Sequence, residues 1–401
     1  MKILYVFTSA SNVAGSVQKK VCSQIDALIA NGVECRGLFF STDSIEQAEV
    51  YPNIDFVQVP KIQAKYFRST KQRTAYFETL LNQKKAYINQ FDFVYFRYPG
   101  AHYLLKKWLI NLKTRVFFEH VTAETKEIEL YKTENPFKFN ISAILSLIEF
   151  YYLPMLREKF YGSSIRRKAI FGICNSEDIA TYERNAANLN YKTLVLGDAV
   201  QTKKFTVKVN LKLEDEFRIV FLKGAVTSAD FNGLDRVFKG IKMYKGLFNI
   251  KFYLFGKNLV AEKSLIEELG IGEHVVCSDF IQKDQTDIVI NNMHLGIGAL
   301  AVHRKGLKST STIKTREYFA RGLAFVYGHN DPDFSNNMEA QKFCLELEAS
   351  EHALDFNQII NWYQEIIQQE NLQSEMHQYA EKHLDYEVKM GKLISFLKQF
   401  N

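Results

Sequence analysis

Residues 294–327 read HLGIGALAVHRKGLKSTSTIKTREYFARGLAFVY, and this stretch decides the fold. An apolar run leads into a basic, hydroxyl-rich loop, which is followed by an amphipathic run and a second apolar run. The pattern predicts a buried strand over 294–300, a helix over 311–321 that Gly322 ends, and a strand over 324–327. Strand, helix and strand in this order are the repeating unit of a parallel α/β sheet.

The loop that precedes this helix predicts an anion site. Free amide groups at a helix N-terminus bind phosphate, and hydroxyl side chains can cap the same turn. The residues placed at this site are Ser309, Ser311, Thr312 and Ile313. Lys314 adds a positive charge to the first turn, where a cation is normally unfavourable unless an anion is bound.

Glu317 follows one turn later in the same predicted helix. It lies roughly 7.5 Å along the helix axis, at about 1.5 Å per residue, and its side chain leans back towards the N-terminus. This spacing suits one nucleotide, with a diphosphate at the helix start and ribose hydroxyls on Glu317. An ordinary amphipathic helix with a solvated Glu317 explains the same residues, and the local sequence does not choose between them.

The rest of the chain repeats the alternation of strand and helix. Further strands are predicted at 2–7, 34–40, 91–98, 114–120, 169–174, 193–197, 218–222, 251–255 and 275–278. Further helices are predicted at 74–89, 141–160, 234–244, 261–269, 284–291, 351–369 and 373–399. The order predicts two Rossmann-like, doubly wound domains, residues 1–205 and 206–384, with ligands at the carboxyl ends of the strands.

Composition excludes several classes of protein. A chain of 401 residues with 47% hydrophobic residues can bury two cores. A net charge of +6 is far below that of a typical nucleic-acid binder, so no nucleic acid is expected as a partner. The five cysteines show no CxxC pair and are interpreted as reduced cytosolic thiols, and no leader peptide is apparent. A cytoplasmic protein is therefore expected.

Motifs of other nucleotide-binding and metal-binding families are absent from the sequence. The first strand is not followed by GxGxxG, and neither GxxxxGK[ST] nor HExxH occurs. Asp331-Pro332-Asp333 has the DxD form that some metal-dependent glycosyltransferases use. It lies among turn-forming residues and is interpreted as a turn. No metal and no other cofactor is predicted.

The apolar segment 137–160 has two interpretations. Glu149 and Pro154 interrupt it, so it does not resemble a membrane-spanning helix. Basic residues surround it, which is typical of a helix that lies on the cytoplasmic face of a membrane. A helix packed before the strand at 169–174 explains the same pattern.

The segment 311–323 resembles the donor-binding signature of the large family of retaining glycosyltransferases with the GT-B fold, which includes many bacterial capsule and lipopolysaccharide enzymes. STIK at 311–314, REY at 316–318 and ARGL at 320–323 carry the resemblance. The family pattern has two acids separated by seven residues. Glu317 matches the second, which binds the donor ribose, whereas the first falls at Ser309.

Other segments resemble the same family. Gly224 followed by NGLD at 232–235 is similar to the element that opens the second domain, although Ala225 and Asn232 replace its usual basic residues, with Lys223 adjacent. Gly15 and Ser16 resemble the loop beside the acceptor. The resemblance implies that residues 385–401 form a helix returning to the first domain.

The resemblance implies transfer of a sugar from a nucleotide diphosphate sugar to a hydroxyl, with retention of anomeric configuration. The acceptor is expected to be a carbohydrate or a lipid-linked carbohydrate, in the synthesis of surface polysaccharide or glycolipid. The residues that the resemblance implies for stabilising the leaving diphosphate are Lys314, Lys223, Arg304 and Lys305. Implied neighbours of the sugar and acceptor are His120, His303 and Glu119. The departures at Ser309, Ala225 and Asn232 leave a non-catalytic, nucleotide-sugar-binding subunit as the alternative.

Overall fold

The structure is a computed structural model, which describes residues 1–8, 16–42, 51–82, 85–134, 140–188, 191–209, 211–224, 230–278, 281 and 283–400. The chain forms two compact units. The first unit comprises Met1–Leu196 and Met390–Asn401, and the second comprises Gly197–Lys389. The division of function between an acceptor-side and a donor-side domain stays a prediction.

The first unit is built on a seven-stranded sheet in the order β3-β2-β1-β4-β5-β6-β7, with all pairs parallel. Its strands are β1 (Lys2–Thr8), β2 (Glu34–Ser41), β3 (Ile54–Gln58), β4 (Phe93–Arg97), β5 (Arg115–His120), β6 (Gly172–Cys174) and β7 (Thr193–Val195). In β1 every residue from Ile3 to Phe7 is buried. This continuous burial fits a parallel sheet that helices cover on both faces.

The helices of the first unit are α1 (Ser16–Ala30), α2 (Arg68–Asn82), α3 (Lys85–Ile88), α4 (Tyr103–Asn111), α5 (Glu124–Glu134) and α9 (Glu177–Ala186), with α6 to α8 described next. The helix predicted at 74–89 is wrong in its bounds, because α2 begins six residues earlier and α3 is separate. The strand predicted at 169–174 is shorter, since backbone pairing with β5 as a strand begins at Gly172.

One continuous helical segment precedes β6. It consists of α6 (Ile141–Leu147), a π-helical turn at Ile148–Tyr152, α7 (Leu153–Arg157), a second π-helical turn at Glu158–Gly162, and α8 (Ser163–Arg166). The predicted helix at 141–160 is thus confirmed and extends to Arg166. Within the part of the chain that the structure describes, no helix is long and apolar enough to cross a membrane.

The second unit contains a six-stranded parallel sheet in the order β10-β9-β8-β11-β12-β13. Its strands are β8 (Glu216–Leu222), β9 (Asn249–Phe255), β10 (Val275–Ser278), β11 (Leu295–Ile297), β12 (Phe325–Tyr327) and β13 (Cys344–Glu346). Its helices are α10 (Leu234–Met243), α11 (Val260–Leu269), α12 (Lys283–Asn291), α13 (Ile313–Arg321), α14 (Met338–Gln341), α15 (Phe356–Ile366) and α16 (Leu372–His383). Both sheets therefore have the doubly wound form that the sequence predicts.

The last helix, α17 (Tyr386–Leu397), begins in the second unit and ends in the first. Within the first unit, Leu393 and Leu397 are fully buried. The rings of Phe396 and Phe400 lie 4.9 and 5.4 Å from the ring of Phe171. The return of the C-terminal helix to the first unit is confirmed.

The strand order places a topological switch point in each sheet. The chain winds outwards from β1 to β3 and then resumes on the other side of β1 with β4, and the second sheet repeats this around β8 and β11. Ligands of doubly wound sheets bind outside the carboxyl ends of the strands at such points. In the second unit, this end of the sheet carries the residues that follow β8 and β11.

Two glycines that end helices of the second unit provide a matched test of backbone strain. Gly322 ends α13 with φ of 71°, and an added Cβ would lie 2.7 Å from Gln373 Cβ and 2.8 Å from its Cα. Gly270 ends α11 with φ of 67°, and no atom of the residues that the structure describes lies within 4 Å of an added Cβ. Left-handed backbone disfavours alanine at both positions, but only Gly322 also meets a backbone.

We expect Gly270→Ala to lower the free energy of unfolding by ~1–2 kcal/mol, the usual cost of a left-handed L-residue. Gly322→Ala should cost more, because α16 must also shift. Urea unfolding measured in a Trp108→Phe background isolates the second unit, since Trp362 is then the only tryptophan. Equal losses for the two variants would contradict the packing argument.

Candidate functional site

The loop between β11 and α13 lies at the switch point of the second sheet. Backbone hydrogen bonds pair it with the segment after β12: Thr310 N–H donates to Asn330 O at 3.1 Å, and Asn330 N–H donates to Lys308 O at 2.9 Å. Ser309, which holds the position of the missing family acid, is buried and forms an isolated parallel bridge with Asn330. The loop is therefore held as a short additional strand.

The first turn of α13 has no side-chain cap. Thr312 has extended backbone angles at the N-cap position, but its hydroxyl lies 3.0 Å from Thr315 Oγ1 and caps no amide. Ser311 Oγ instead accepts a hydrogen bond of 2.6 Å from Asp198 N–H. The helix begins at Ile313, two residues later than predicted, because the hydroxyls at 311 and 312 bind elsewhere.

Lys314 lies in this first turn. Its ammonium is 3.3 Å from the centroid of the Phe221 ring, on β8, and the residue is half-buried. Burial lowers the pKa of Lys314 to about 7, against a smaller rise caused by Glu317. A positive charge placed at the positive end of a helix dipole gains most from an anion, so this arrangement favours a bound phosphate.

Glu317 lies one turn further along α13. Its side chain is 32% exposed and accepts a long hydrogen bond of 3.4 Å from Arg321. Arg321 is itself anchored by Asp287 at 2.7 Å. Glu317 thus keeps an accessible carboxylate on the turn that follows Lys314, which is the spacing predicted for ribose binding.

Arg316 was not assigned a site role from the sequence, yet it organises the start of α13. Its guanidinium is fully buried and bonds both oxygens of Asp331, one at 2.5 Å, and Asp333 at 2.5 Å. Burial alone would raise the pKa of Asp331, but the charge of Arg316 brings it well below its usual range. The DxD sequence forms a turn, as predicted, and both of its carboxylates bind this arginine. The separation of fifteen residues between Arg316 and Asp331 hides the pair from local sequence patterns.

Lys223, predicted to assist the donor phosphates, is buried at the end of β8. Its ammonium lies 2.6 Å from Glu262 on α11 and donates to Asn258 O at 3.2 Å. Gly224 follows, and among the described residues no atom lies within 4 Å of a Cβ added at this position. The structure therefore gives Lys223 a protein carboxylate as its partner.

His303 and Arg304 share one carboxylate. His303 Nε2 lies 2.6 Å from Glu351, and Arg304 also bonds Glu351. Arg304 forms a bidentate pair with Asp235 at 2.9 and 3.0 Å. Lys305 lies with its ammonium 3.8 Å from the ring centroid of Phe231. The structure brings these basic residues together through acids that the sequence had not linked to them.

The residues predicted beside the acceptor belong to the first unit. Gly15 lies outside the described residues, and Ser16 begins α1. Glu119 is buried, where it accepts hydrogen bonds from Tyr5 at 3.0 Å and Gln24 at 2.9 Å. Burial would raise its pKa, but the charges of Lys20 and Arg97 lower the pKa of Glu119 to about 2.

His120 is completely buried, which its prediction as a catalytic group did not anticipate. Successive residues of a strand point to opposite faces, so His120 and Glu119 belong to different clusters. The Nδ1 atom of His120 lies 3.2 Å from Glu183 and 3.6 Å from Glu124, and Nε2 lies 3.2 Å from Tyr191 OH. Burial would lower the pKa of His120, but these two carboxylates raise it to about 9.

Arg166 neutralises the same group of acids. It binds Glu183 at 2.5 Å, Glu158 at 2.8 Å and Glu124 at 3.1 Å. Ligand atoms of His120, Glu124 and Glu183 lie within 4.8 Å of one another, a spacing that a metal ion could use. The cation that these two carboxylates bind in the structure is the guanidinium of Arg166.

Comparison with known proteins identifies the fold. No protein-family model matches the sequence, and no curated protein is significantly similar to it. Solved structures match over the whole chain. Sucrose-phosphate synthase from Thermosynechococcus elongatus is 12% identical and has a TM-score of 0.67, covering 100% of this chain and 98% of its own.

Two further structures give the same result. The lipopolysaccharide outer core galactosyltransferase WaaB is 14% identical with a TM-score of 0.63, covering 99% of this chain and 100% of its own. HepE from Anabaena, in complex with UDP-glucose, is 13% identical with a TM-score of 0.62 and full coverage of both chains. The chain therefore has the GT-B fold that the sequence predicts.

The buried cluster around His120 makes the stability of the first unit depend on pH. The folded pKa of His120, about 9, exceeds its ordinary value of 6.5, so its stabilising effect is complete below pH 6.5 and is lost as pH rises through 9. We expect the free energy of unfolding to fall between these values and His120→Gln to reduce the dependence. Burial also raises the pKa of Glu124 to about 8, so a fall between pH 4.5 and 8 should remain.

Urea unfolding in a Trp362→Phe background reports on the first unit through buried Trp108. His352→Gln, at an exposed position of the second unit, is the control and should leave the pH dependence unchanged. An unchanged slope between pH 8 and 9 in His120→Gln would show that another group titrates in that range.

Proposed function

We propose that this chain is a retaining glycosyltransferase, which moves a sugar from a nucleotide diphosphate sugar to a hydroxyl of a carbohydrate or lipid-linked carbohydrate. The start of α13 carries the proposal, because an uncapped first turn, the ammonium of Lys314 and the carboxylate of Glu317 follow one another along one helix. This order matches the order of the groups in a nucleotide, with the diphosphate at the first turn and Lys314, and the ribose at Glu317. The GT-B fold, shared with solved glycosyltransferases, supports it.

The first and second units are assigned to acceptor and donor, respectively. The complexes of HepE with UDP and UDP-glucose make UDP the first nucleotide to test. Support for surface polysaccharide or glycolipid synthesis in the cytoplasm comes from the lipopolysaccharide transferases WaaB and WaaG among the matching structures. WaaG is 11% identical to this chain, so this support concerns the fold.

Stabilisation of the leaving diphosphate is the main chemical task. Negative charge grows on the diphosphate as the glycosidic bond breaks, and fixed dipoles and cations aimed at that position lower the barrier. Amides at Ser311, Thr312 and Ile313 with Lys314 supply these groups in our proposal. The leaving phosphate takes the proton of the acceptor hydroxyl, so no separate base is required.

The other basic residues contribute through their existing partners. Arg304 and Lys223 are held by Asp235 and Glu262, so they add fixed positive charge near the switch point without being free to follow the ligand. His303 is proposed near the sugar, and Gly15, Ser16 and Glu119 on the acceptor side. The complete burial of His120 against Glu183 and Glu124 makes it a structural group instead. Lys305 adds a further positive charge to the loop between β11 and α13.

A non-catalytic, nucleotide-sugar-binding subunit is the second candidate. Two observations favour it: Ser309 replaces an acid expected to contact the sugar, and Lys223 is bound to Glu262. Both candidates bind nucleotide, but only the enzyme releases UDP from UDP-sugars in the presence of an acceptor or water. Release assays with a panel of nucleotide sugars separate them.

Lys314→Ala should weaken UDP binding at least tenfold while leaving uridine binding nearly unchanged, since a charged hydrogen bond contributes about 1.5–3 kcal/mol. Calorimetric titration with both ligands measures the difference. Lys314→Met retains the apolar packing on Phe221 and controls for its loss. Equal losses for UDP and uridine would place the phosphates elsewhere.

Glu317→Ala should weaken both UDP and uridine by ~1.5–3 kcal/mol, because the ribose hydroxyls lose a charged acceptor. Glu317→Gln, which keeps the shape of the side chain, should lose less. Glu365→Ala, at an exposed position of α15, is the matched control. Unchanged affinity in a folded Glu317→Ala protein would exclude the ribose role.

A further inference from the structure

The helical segment 141–166 exposes apolar side chains along its length. No residue from Ile141 to Arg157 is buried. Ile141 is 74% exposed and Phe160 is 66% exposed, which is far more than a helix packed into a core allows. The exposed apolar residues of this segment used below are Ile141, Ile144, Tyr152, Leu156 and Phe160, and we call them the apolar row.

The π-helical turns keep this row straight. From Ile144 the row continues through half-buried Ile148 to Tyr152, Leu156 and Phe160 in steps of four residues. In an α-helix such a row drifts by about 40° per step, because one turn contains 3.6 residues. A π-helical turn contains more residues and reverses part of the drift. The turns at 148–152 and 158–162 therefore hold the row on one side over about 28 Å, at 1.5 Å per residue.

The exposed charges of the segment itself have one sign, whereas the neighbouring helix α5 exposes acids as well as lysines. Within residues 141–168, all of which the structure describes, the exposed charged residues are Lys159, Arg167 and Lys168. The acids of the segment are bound within the unit. Glu149 accepts a hydrogen bond of 2.9 Å from Thr70 N–H, and Glu158 is buried against Arg166.

A neighbouring helix extends the same type of surface. Helix α4 packs against α8 and α2, and it exposes Tyr103, Lys107 and Ile110. The surface thus combines aliphatic and aromatic side chains with lysine and arginine. This composition is typical of helices that lie in the plane of a membrane interface.

We propose that the apolar row and its basic flank dock this chain on the surface of a membrane that contains anionic lipids. The apolar side chains enter the boundary between headgroups and acyl chains, while the basic residues bind headgroup phosphates. A second copy of the chain or a protein groove could also cover an apolar row, but the exposed charges of the segment itself, at its C-terminal end, are all basic, which favours anionic headgroups. The inference is independent of sugar transfer.

Flotation of the purified chain with lipid vesicles tests the proposal. The chain should float with vesicles of phosphatidylcholine mixed with phosphatidylglycerol, and much less with phosphatidylcholine alone. The triple variant Ile144→Glu/Leu156→Glu/Phe160→Glu should lower the bound fraction at least tenfold. Its matched control, Leu247→Glu/Val260→Glu/Met338→Glu, changes exposed apolar residues of the other unit and should bind like the wild type.

A second variant tests the charge. Lys159→Gln/Arg167→Gln/Lys168→Gln should weaken binding to the anionic vesicles, and added salt should do the same, because headgroup attraction is screened. Circular dichroism and UDP titration of every variant separate loss of docking from loss of folding or of the nucleotide site.

Three outcomes would overturn the proposal: a wild type that does not float, equal losses in the row variant and its control, or equal binding to neutral and anionic vesicles. Sedimentation velocity tests the alternative that a second copy of the chain covers the apolar row, because it measures whether the chain forms a dimer. A dimer that the row variant abolishes, without vesicle binding by the wild type, would assign the surface to a second copy of the chain.

Discussion

The buried guanidinium of Arg316 is the interaction on which the rest of the candidate site depends. It joins Asp331 and Asp333 to the carbonyls of Thr312 and Asp198, so one side chain fixes three separate segments. Removing one partner of a buried ion pair typically costs about 3–5 kcal/mol, because the other charge is left buried without a partner. The hydrogen bonds of Arg316 therefore fix the position of the start of α13, so this turn does not need a side-chain cap to hold it in place.

The first unit uses a similar device. Arg166 binds three carboxylates that lie beyond the end of β5, and it packs on the ring of Tyr98 at 4.7 Å. The difference lies in His120, which adds a titratable partner to the same acids. In the Arg316 cluster the guanidinium lowers the pKa of buried Asp331, whereas the Arg166 cluster gains or loses charge near neutral to alkaline pH. Two sheets of the same doubly wound type thus carry buried networks that respond differently to pH.

Much of the fold could be predicted from the sequence because continuous apolar runs such as 2–7 and 218–222 mark strands covered on both faces. The short edge strands β3 and β13 were missed, since three to five partly buried residues leave little periodic signal. The residues of α13 could be placed by helix periodicity. The partners of Lys223 and Arg304 could not, because pairs separated by 39 and 69 residues depend on the packing of whole elements.

These pairings give the cations of the candidate site different chemical roles. Arg304 and Lys223 already form ion pairs with protein carboxylates. A bound phosphate is therefore stabilised only by the electrostatic field of these fixed charges and not by a direct bond to them. Lys314 faces an aromatic ring, and burial lowers its pKa to about 7, so without an anion beside it the amine is only partly protonated near neutral pH. On the proposed function, the arriving diphosphate stabilises the charged ammonium and draws a proton to it. The charge at Lys314 is then in place before the glycosidic bond breaks, and it stabilises the diphosphate more strongly as negative charge grows there, which is the differential stabilisation that catalysis requires.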